Sequence, residues 1–294
     1  MRCCWCFLLL SLLCPVALAA EAPAKPRIHW VQLDFPPYYI KSSQDGRDES
    51  VALLLERYVP DYEFRRLNVP ASRLMKSLDD ANGTNVCVVS LYRTPEREQR
   101  LLFSKHPATF GLPIELITRT ELVESLAPQK IGDRYQLAQI VQKNPKRVGL
   151  TASRSFGSSL DELLQDSRLT RLAGETALGS LSGMVSRGRL DYTLGYPDEL
   201  VYIARNQGLH NLVSLPLAET ASFSLGYVGC NATDDNQAML AALDKQWATI
   251  YQDVNYLALL QRWLQTDAKL RVQRVFEEYR HDRQITPAKA PTTP

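Results

Sequence analysis

The sequence predicts an α/β protein made of two units, and three observations carry that expectation. Segments with a strand pattern alternate with segments with a helical pattern from residue 27 to about residue 265. The run Asn85 to Leu91 is almost continuously apolar, as expected of a strand buried on both faces of a parallel sheet. The chain has 294 residues; without an N-terminal apolar segment it still exceeds one typical domain and suits two of about 100 to 150 residues. With 45% hydrophobic and 22% charged residues, the composition is that of a globular chain able to bury a sizeable core.

The elements follow in order. Met1-Arg2 supplies one positive charge, and Cys3 to Ala20 is almost wholly apolar. Its core, Cys6 to Leu13, is too short for a bilayer span, which needs about 20 residues. Ala17-Leu18-Ala19 is a small-x-small site, so residues 1–20 read as a secretory signal peptide cleaved near Ala19 or Ala20. The mature protein is therefore expected outside the cytoplasm, in the periplasm. Arg27 to Leu33 reads as a strand and Asp34-Phe35-Pro36-Pro37-Tyr38-Tyr39 as a loop, because paired prolines break regular structure. Val51, Leu54, Leu55 and Tyr58 form one helical face. Tyr62 to Leu67 is a short strand, Pro70 opens a helix carrying Leu74, Met75 and Leu78, and Asn82-Gly83 is a turn before the buried strand.

The second unit begins where Leu112 to Thr118 leads out of the first. Arg134 to Val141 reads as helix, Lys146 to Thr151 as strand, and Ser153 to Gly157 as a turn before a helix whose first turn is acidic. A helix over Leu178 to Arg187, a strand over Leu190 to Leu194 and a helix over Glu199 to Arg205 follow. Ala221 to Val228 is a strand able to return the chain to the first unit. Gln237 to Ile250 and Val254 to Leu264 are amphipathic helices. Asp267 to Asp282 is a charged helix or extension, and Ile285 to Pro294 a polar tail.

Several function classes are excluded. The formal net charge is +2 and no basic stripe appears, so nothing points to nucleic acid. Four of the six cysteines leave with the signal peptide, and Cys87 and Cys230 remain. In an exported chain these either pair as one disulfide or stay as buried thiols. Four scattered histidines complete no metal-ligand spacing. Without a phosphate loop or dinucleotide fingerprint, no cofactor is expected.

The loop Asp34-Phe35-Pro36-Pro37-Tyr38 and the run Val88-Val89-Ser90-Leu91-Tyr92-Arg93-Thr94-Pro95-Glu96-Arg97, followed by Phe103-Ser104 and Pro107, resemble segments of bacterial extracellular solute-binding proteins of family 3, the amino-acid type. Arg147-Val148-Gly149-Leu150 with Ser153 to Phe156, and the turn Gly188-Arg189-Leu190-Asp191, are similar to that family's second-lobe strand and turn. The resemblance spans about residues 27 to 265. It implies a type II periplasmic-binding-protein fold of two parallel-sheet α/β lobes joined by two hinge strands, with a ligand in the cleft. Lobe 1 is then residues 27–117 plus 222–265, lobe 2 residues 118–221, and residues 266–294 a C-terminal helix or extension and a disordered tail.

What the resemblance implies for the site follows residue by residue. Arg97 is the expected clamp on a ligand carboxylate, since a guanidinium offers two parallel hydrogen bonds. Ser90, Tyr92, Arg93 and Asp34 lie nearby in lobe 1, and Tyr38 packs on the apolar part of the ligand. Ser153, Arg154 and Ser155 precede a helix N-terminus, which favours an anion. The place of the acid that usually receives a ligand ammonium falls on Tyr196, with Asp198 two residues later. The expected function is capture of a small carboxylate, an amino acid or related organic acid, by a monomeric protein that hands it to a membrane permease for ABC-type import. One alternative is a sensor that presents its closed form to a membrane receptor. Another is a dehydratase-like enzyme on the same scaffold, with Asp34 and Asp198 as candidate acid–base groups; since no catalytic motif is present, a non-enzyme is the expectation.

Overall fold

A computed structural model describes residues 24–80, 82–152, 154–156, 158–174 and 176–285. The predicted signal peptide, Ser153 and most of the polar tail lie outside the described residues. The chain runs through β1 (Arg27–Gln32), α1 (Arg47–Glu56), β2 (Glu63–Asn68), α2 (Leu74–Asp79), β3 (Val86–Leu91), α3 (Pro95–Glu98), β4 (Leu101–Phe103) and β5 (Thr109–Gly111). It continues through β6 (Glu115–Arg119), the ribbon β7 (Lys130–Ile131) and β8 (Arg134–Tyr135), α4 (Leu137–Lys143), β9 (Val148–Thr151), α5 (Ser158–Leu163) and β10 (Thr170–Leu172). Then come α6 (Ala177–Ser186), β11 (Tyr192–Gly195), α7 (Pro197–Gln207) and β12 (Leu212–Leu215). The chain returns in β13 (Ser224–Asn231), followed by α8 (Asp234–Asp244), α9 (Trp247–Ile250), α10 (Tyr256–Leu260) and α11 (Thr266–Asp282).

Two sheets organise these elements into two lobes. In lobe 1, β2, β1 and β3 are parallel, and β13 joins antiparallel to β3 while also pairing with β4 and β5. Side chains alternate along the pleat, so Cys87 and Val89 enter one core layer and Val86 and Val88 the other. In lobe 2, β10, β9 and β11 are parallel, and β6 lies antiparallel between β11 and β12, so that β12 runs in the same direction as β11. The sheets are thus mixed, where the sequence suggested parallel ones. The first strand after the chain enters lobe 2, β6, and the strand on which it returns to lobe 1, β13, run against the strands laid down by helical crossovers.

The lobe boundary also shifts. The whole of β6 hydrogen-bonds within the lobe 2 sheet, so the change of lobe falls in Leu112–Ile114 on the way out and in residues 216–223 on the return. At the C-terminus the segment expected as a charged helix or extension is the helix α11, and its Ala268, Val272 and Phe276 are buried in the lobe 1 core. Phe276 packs against Phe110, Tyr251 and Tyr256 at ring distances of 5.2, 5.4 and 5.5 Å. From the same helix Arg271 pairs with Glu115, a fully buried carboxylate at the start of β6. Helix α11 therefore completes lobe 1 and grips the strand that leaves it.

Cys87 and Cys230 stand opposite each other on β3 and β13 and form a disulfide, which settles the alternative left open by the sequence. It links positions 143 residues apart. In lobe 2, Asp191 accepts from Arg147 Nε (2.9 Å) and Nη2 (2.7 Å) and from Arg119 Nη2 (3.0 Å). The Gly188-Arg189-Leu190-Asp191 turn is thus a structural anchor that fixes β11 between β9 and β6.

Two stability predictions follow. Replacing both Cys87 and Cys230 by alanine frees a long loop in the unfolded chain and should lower stability by about 2 to 5 kcal/mol in denaturant unfolding. Hydrogen bonds from Arg147, helped by Arg119, hold the Asp191 carboxyl below the usual carboxylate range. Its contribution is present above the unfolded value of about 4 and fades as pH falls through the lower folded value. Asp191→Asn should lose about 1 to 3 kcal/mol near neutral pH and flatten the acid limb of a stability–pH curve.

Candidate functional site

A cavity of about 320 Å³ lies between the lobes, at the lower end of the range for small-molecule sites. Lobe 1 supplies Phe35, Tyr38, Arg47, Asp48, Ser90 and Tyr92, and lobe 2 supplies Arg154, Tyr196 and Asp198. Leu33, Leu74, Val88, Leu91 and Leu112 make much of the remaining wall apolar.

The loop after β1 and the start of α1 are built as one piece. The N–H groups of Arg47 and Asp48 donate to the carbonyls of Pro37 and Tyr38 at 2.9 Å each. Glu49 accepts from the N–H groups of Ile40 (3.0 Å) and Gly46 (3.2 Å), so the free donors of the helix start are satisfied by the chain itself. A Cβ on Gly46 would sit 2.3 Å from the Tyr38 carbonyl oxygen, so only glycine permits this approach. This seats the Tyr38 ring and the first turn of α1 at the cleft.

Arg47 is the centre of the site. Its Nε donates to Asp48 Oδ1 at 2.8 Å and its Nη1 to Asp198 Oδ2 at 2.9 Å. The guanidinium carbon lies 4.5 Å from the centre of the Tyr38 ring. The Tyr38 hydroxyl donates to the other oxygen of Asp198 at 2.7 Å. All four side chains are buried. Burial raises the Asp48 carboxyl above its ordinary value against the pull of Arg47. Burial, with Asp198 beside it, also pushes the Tyr38 hydroxyl well up, so it remains a donor.

A second ion pair lies alongside. Arg154 Nη1 and Nη2 donate to the two oxygens of Glu199 at 3.1 and 3.0 Å, a bidentate arrangement. Burial raises the Glu199 carboxyl while Arg154 opposes it. For Arg154, burial would favour the neutral form, and the Glu199 charge outweighs it. The Arg154 guanidinium lies 5.2 Å from the Tyr196 ring centre, and Tyr196 and Tyr92 join hydroxyls across the cleft at 3.2 Å. At the floor, Ser90 holds a left-handed backbone with φ of 70°, bonded to Thr109 at 2.7 Å and facing Gly226, where a Cβ would meet the Ser90 Cα at 2.6 Å. Non-glycine residues in this conformation concentrate at ligand-contacting positions.

Of the residues the sequence proposed, Ser90, Tyr92, Tyr38, Arg154, Tyr196 and Asp198 meet at this cavity. The others are placed elsewhere. Arg97 does not line the cavity; its Nη1 donates to the Tyr92 carbonyl at 2.7 Å, which turns the side chain onto its own loop. Arg93 is exposed, paired with Glu98 and stacked toward Tyr227. Asp34 is exposed and outside the lining. Ser155 is exposed and bonds Asp161. Reasoning from sequence missed Arg47 and Asp48. The signal was present: counting back three and four positions from Val51 carries the buried face of α1 onto both. Among the described residues no histidine, cysteine, aspartate or glutamate cluster is arranged to hold a metal ion, and no helix is long and apolar enough to cross a membrane.

No family model matches the chain, and no curated protein does. Solved structures do. A probable amino-acid ABC transporter extracellular-binding protein, YtmK of Bacillus subtilis, superposes with a TM-score of 0.61 at 18% identity, covering 83% of this chain and 100% of that one. A structure reported for glutathione import through GshT and the cystine importer TcyBC of Streptococcus mutans gives 0.59 at 16% identity, covering 82% and 95%. A histidine kinase sensor domain with similarity to periplasmic binding proteins gives 0.56 at 17% identity, covering 81% and 96%. At such identities the likeness establishes the fold, and the fold is the two-lobed one of periplasmic binding proteins.

Proposed function

We propose that this chain is an exported, monomeric solute-binding protein that encloses a small carboxylate-bearing solute between its lobes, and that it is not an enzyme. The observation that carries this reading is the inter-lobe cavity, lined from both lobes by aromatic and apolar side chains with a balanced set of two arginines and two aspartates. A solute touching both lobes makes contacts that exist only when the lobes are together and so stabilises the closed form. Phe35, Tyr38, Leu74 and Tyr92 would cover its apolar part. We assign the contact with its carboxylate to Arg154, a lining guanidinium whose fork is shared with Glu199, in place of Arg97, for which that role was first expected.

The absence of catalysis is supported by the lining itself. It contains no histidine, cysteine or lysine, and its carboxylates are held in ion pairs with Arg47. For the partner we favour a membrane permease, because two of the similar structures come from ABC transport systems. A receptor is the second reading, supported by the sensor-domain neighbour.

A thermal-shift screen of the mature chain against organic acids, amino acids and short peptides tests the reading. A solute at 100 times its dissociation constant should add about 2.7 kcal/mol of stability; silence from ligand-free protein across the panel would count against it. With a solute in hand, Arg154→Gln should weaken binding by more than about tenfold, on the scale of a lost charge-assisted contact, and Arg97→Ala by less. The opposite ranking would return the clamp to Arg97.

A further inference from the structure

The cleft already holds a cation, and it belongs to the protein. Tyr38, Asp48 and Asp198 form a cage of the kind that recognises a guanidinium or ammonium ligand: two carboxylates at hydrogen-bond distance and an aromatic face beneath. The Arg47 guanidinium fills this cage. Arg47, Tyr38 and Asp48 come from lobe 1, and Asp198 from the start of α7 in lobe 2. Arg47 and Asp198 expose only 8% and 5% of their surfaces, so their ion pair is shielded from solvent and salt. Tyr38 donates to Asp198 across the same boundary, and the Tyr92–Tyr196 contact adds a further bond between lobes. These contacts run directly from one lobe to the other.

We infer that Arg47 is an internal occupant of the cleft, a tethered cation that fills the cage of Tyr38, Asp48 and Asp198 and holds the two lobes shut in the resting protein. Tethering makes occupation of the cage an intramolecular step, so a free cation has to displace a group that is already in place. The closed form is then the default, and a solute in the neighbouring part of the cavity modulates a protein that is already shut. The cage also explains selectivity: a ligand cation finds both carboxylates taken. Opening the lobes exposes Arg47 and Asp198 to water, and only there can each be solvated singly.

The inference shares its cleft with the proposed solute site, but it rests on contacts between protein groups alone and its test uses no solute, so failure of one leaves the other standing. The measurement is the radius of gyration of the ligand-free mature protein by small-angle X-ray scattering. Wild type should match the closed form. Arg47→Ala leaves two carboxylates facing an empty, guanidinium-shaped space, and should be more expanded. Methylguanidinium added at millimolar concentration, below the denaturing range, should enter that space and return the variant to the wild-type radius while leaving wild type unchanged. Asp198→Asn, which keeps the side-chain volume, should expand and should not respond to methylguanidinium; it also decides the matter if Arg47→Ala does not fold, as judged by a cooperative melt. A wild type already as expanded as the variants, folded variants as compact as wild type, or an Arg47→Ala protein indifferent to methylguanidinium would each overturn the inference.

Discussion

A guanidinium removed from water must be surrounded by acceptors, because an unpaired buried charge costs several kcal/mol. That requirement organises the middle of this molecule. Arg47 sits where two lobes meet and needs Asp48 from its own helix and Asp198 from the other lobe. Satisfying it fixes the seat of α1, the approach of α7 and the orientation of the Tyr38 ring. The loop of paired prolines and the glycine at position 46 are the local devices that allow the seat: they bring the Tyr38 carbonyl onto the start of α1 so closely that a side chain at position 46 would not fit. Charge pairing of this kind adds little net stability compared with apolar packing, but removal of one member is costly, and the geometry is correspondingly specific.

The same logic recurs at two other junctions. Arg271 of α11 meets the fully buried Glu115 where the chain passes from lobe 1 to lobe 2. Arg119 and Arg147 converge on Asp191 at the centre of the lobe 2 sheet. In each case an arginine supplies several donors in a planar fork that lysine could not reproduce. The apolar layers hold each lobe together; the arginines fix how strands, lobes and the terminal helix are registered against one another.

Much of the fold was legible in the sequence. The alternation of strand and helix, the return of the chain near residue 224 and the apolar run at β3 each rest on side-chain periodicity, which a sequence displays directly. Strand direction was not legible: a run of apolar residues looks the same parallel or antiparallel, so the antiparallel placing of β6 and β13 was not foreseen. Helix α11 read as a charged helix or extension, with no part in the core, because its buried stripe, Ala268, Val272 and Phe276, is narrow and its remaining faces are strongly polar. At the site, Ser90, Tyr38, Tyr92, Arg154 and Tyr196, proposed through the family resemblance, line the cavity. Arg97 was proposed for the clamp by the same resemblance, but a resemblance of sequence does not tell which way a side chain turns, and a nearby carbonyl of Tyr92 claims it. Arg47 was passed over for the opposite reason: a charged residue at a helix start looks like surface until the face of the whole helix is traced back to it.

Helix α11 has a consequence for the order in which the molecule can be assembled. Lobe 2 is drawn from one continuous stretch, β6 to β12, whereas the core of lobe 1 takes its first strand from Arg27 and its closing aromatic side chain from Phe276. A chain emerging from the ribosome N-terminus first therefore completes lobe 2 while lobe 1 still lacks β13 and the four helices that follow. The first-made strands must wait, with their apolar faces uncovered, until Phe276 has emerged, and α11 is the helix that seals them.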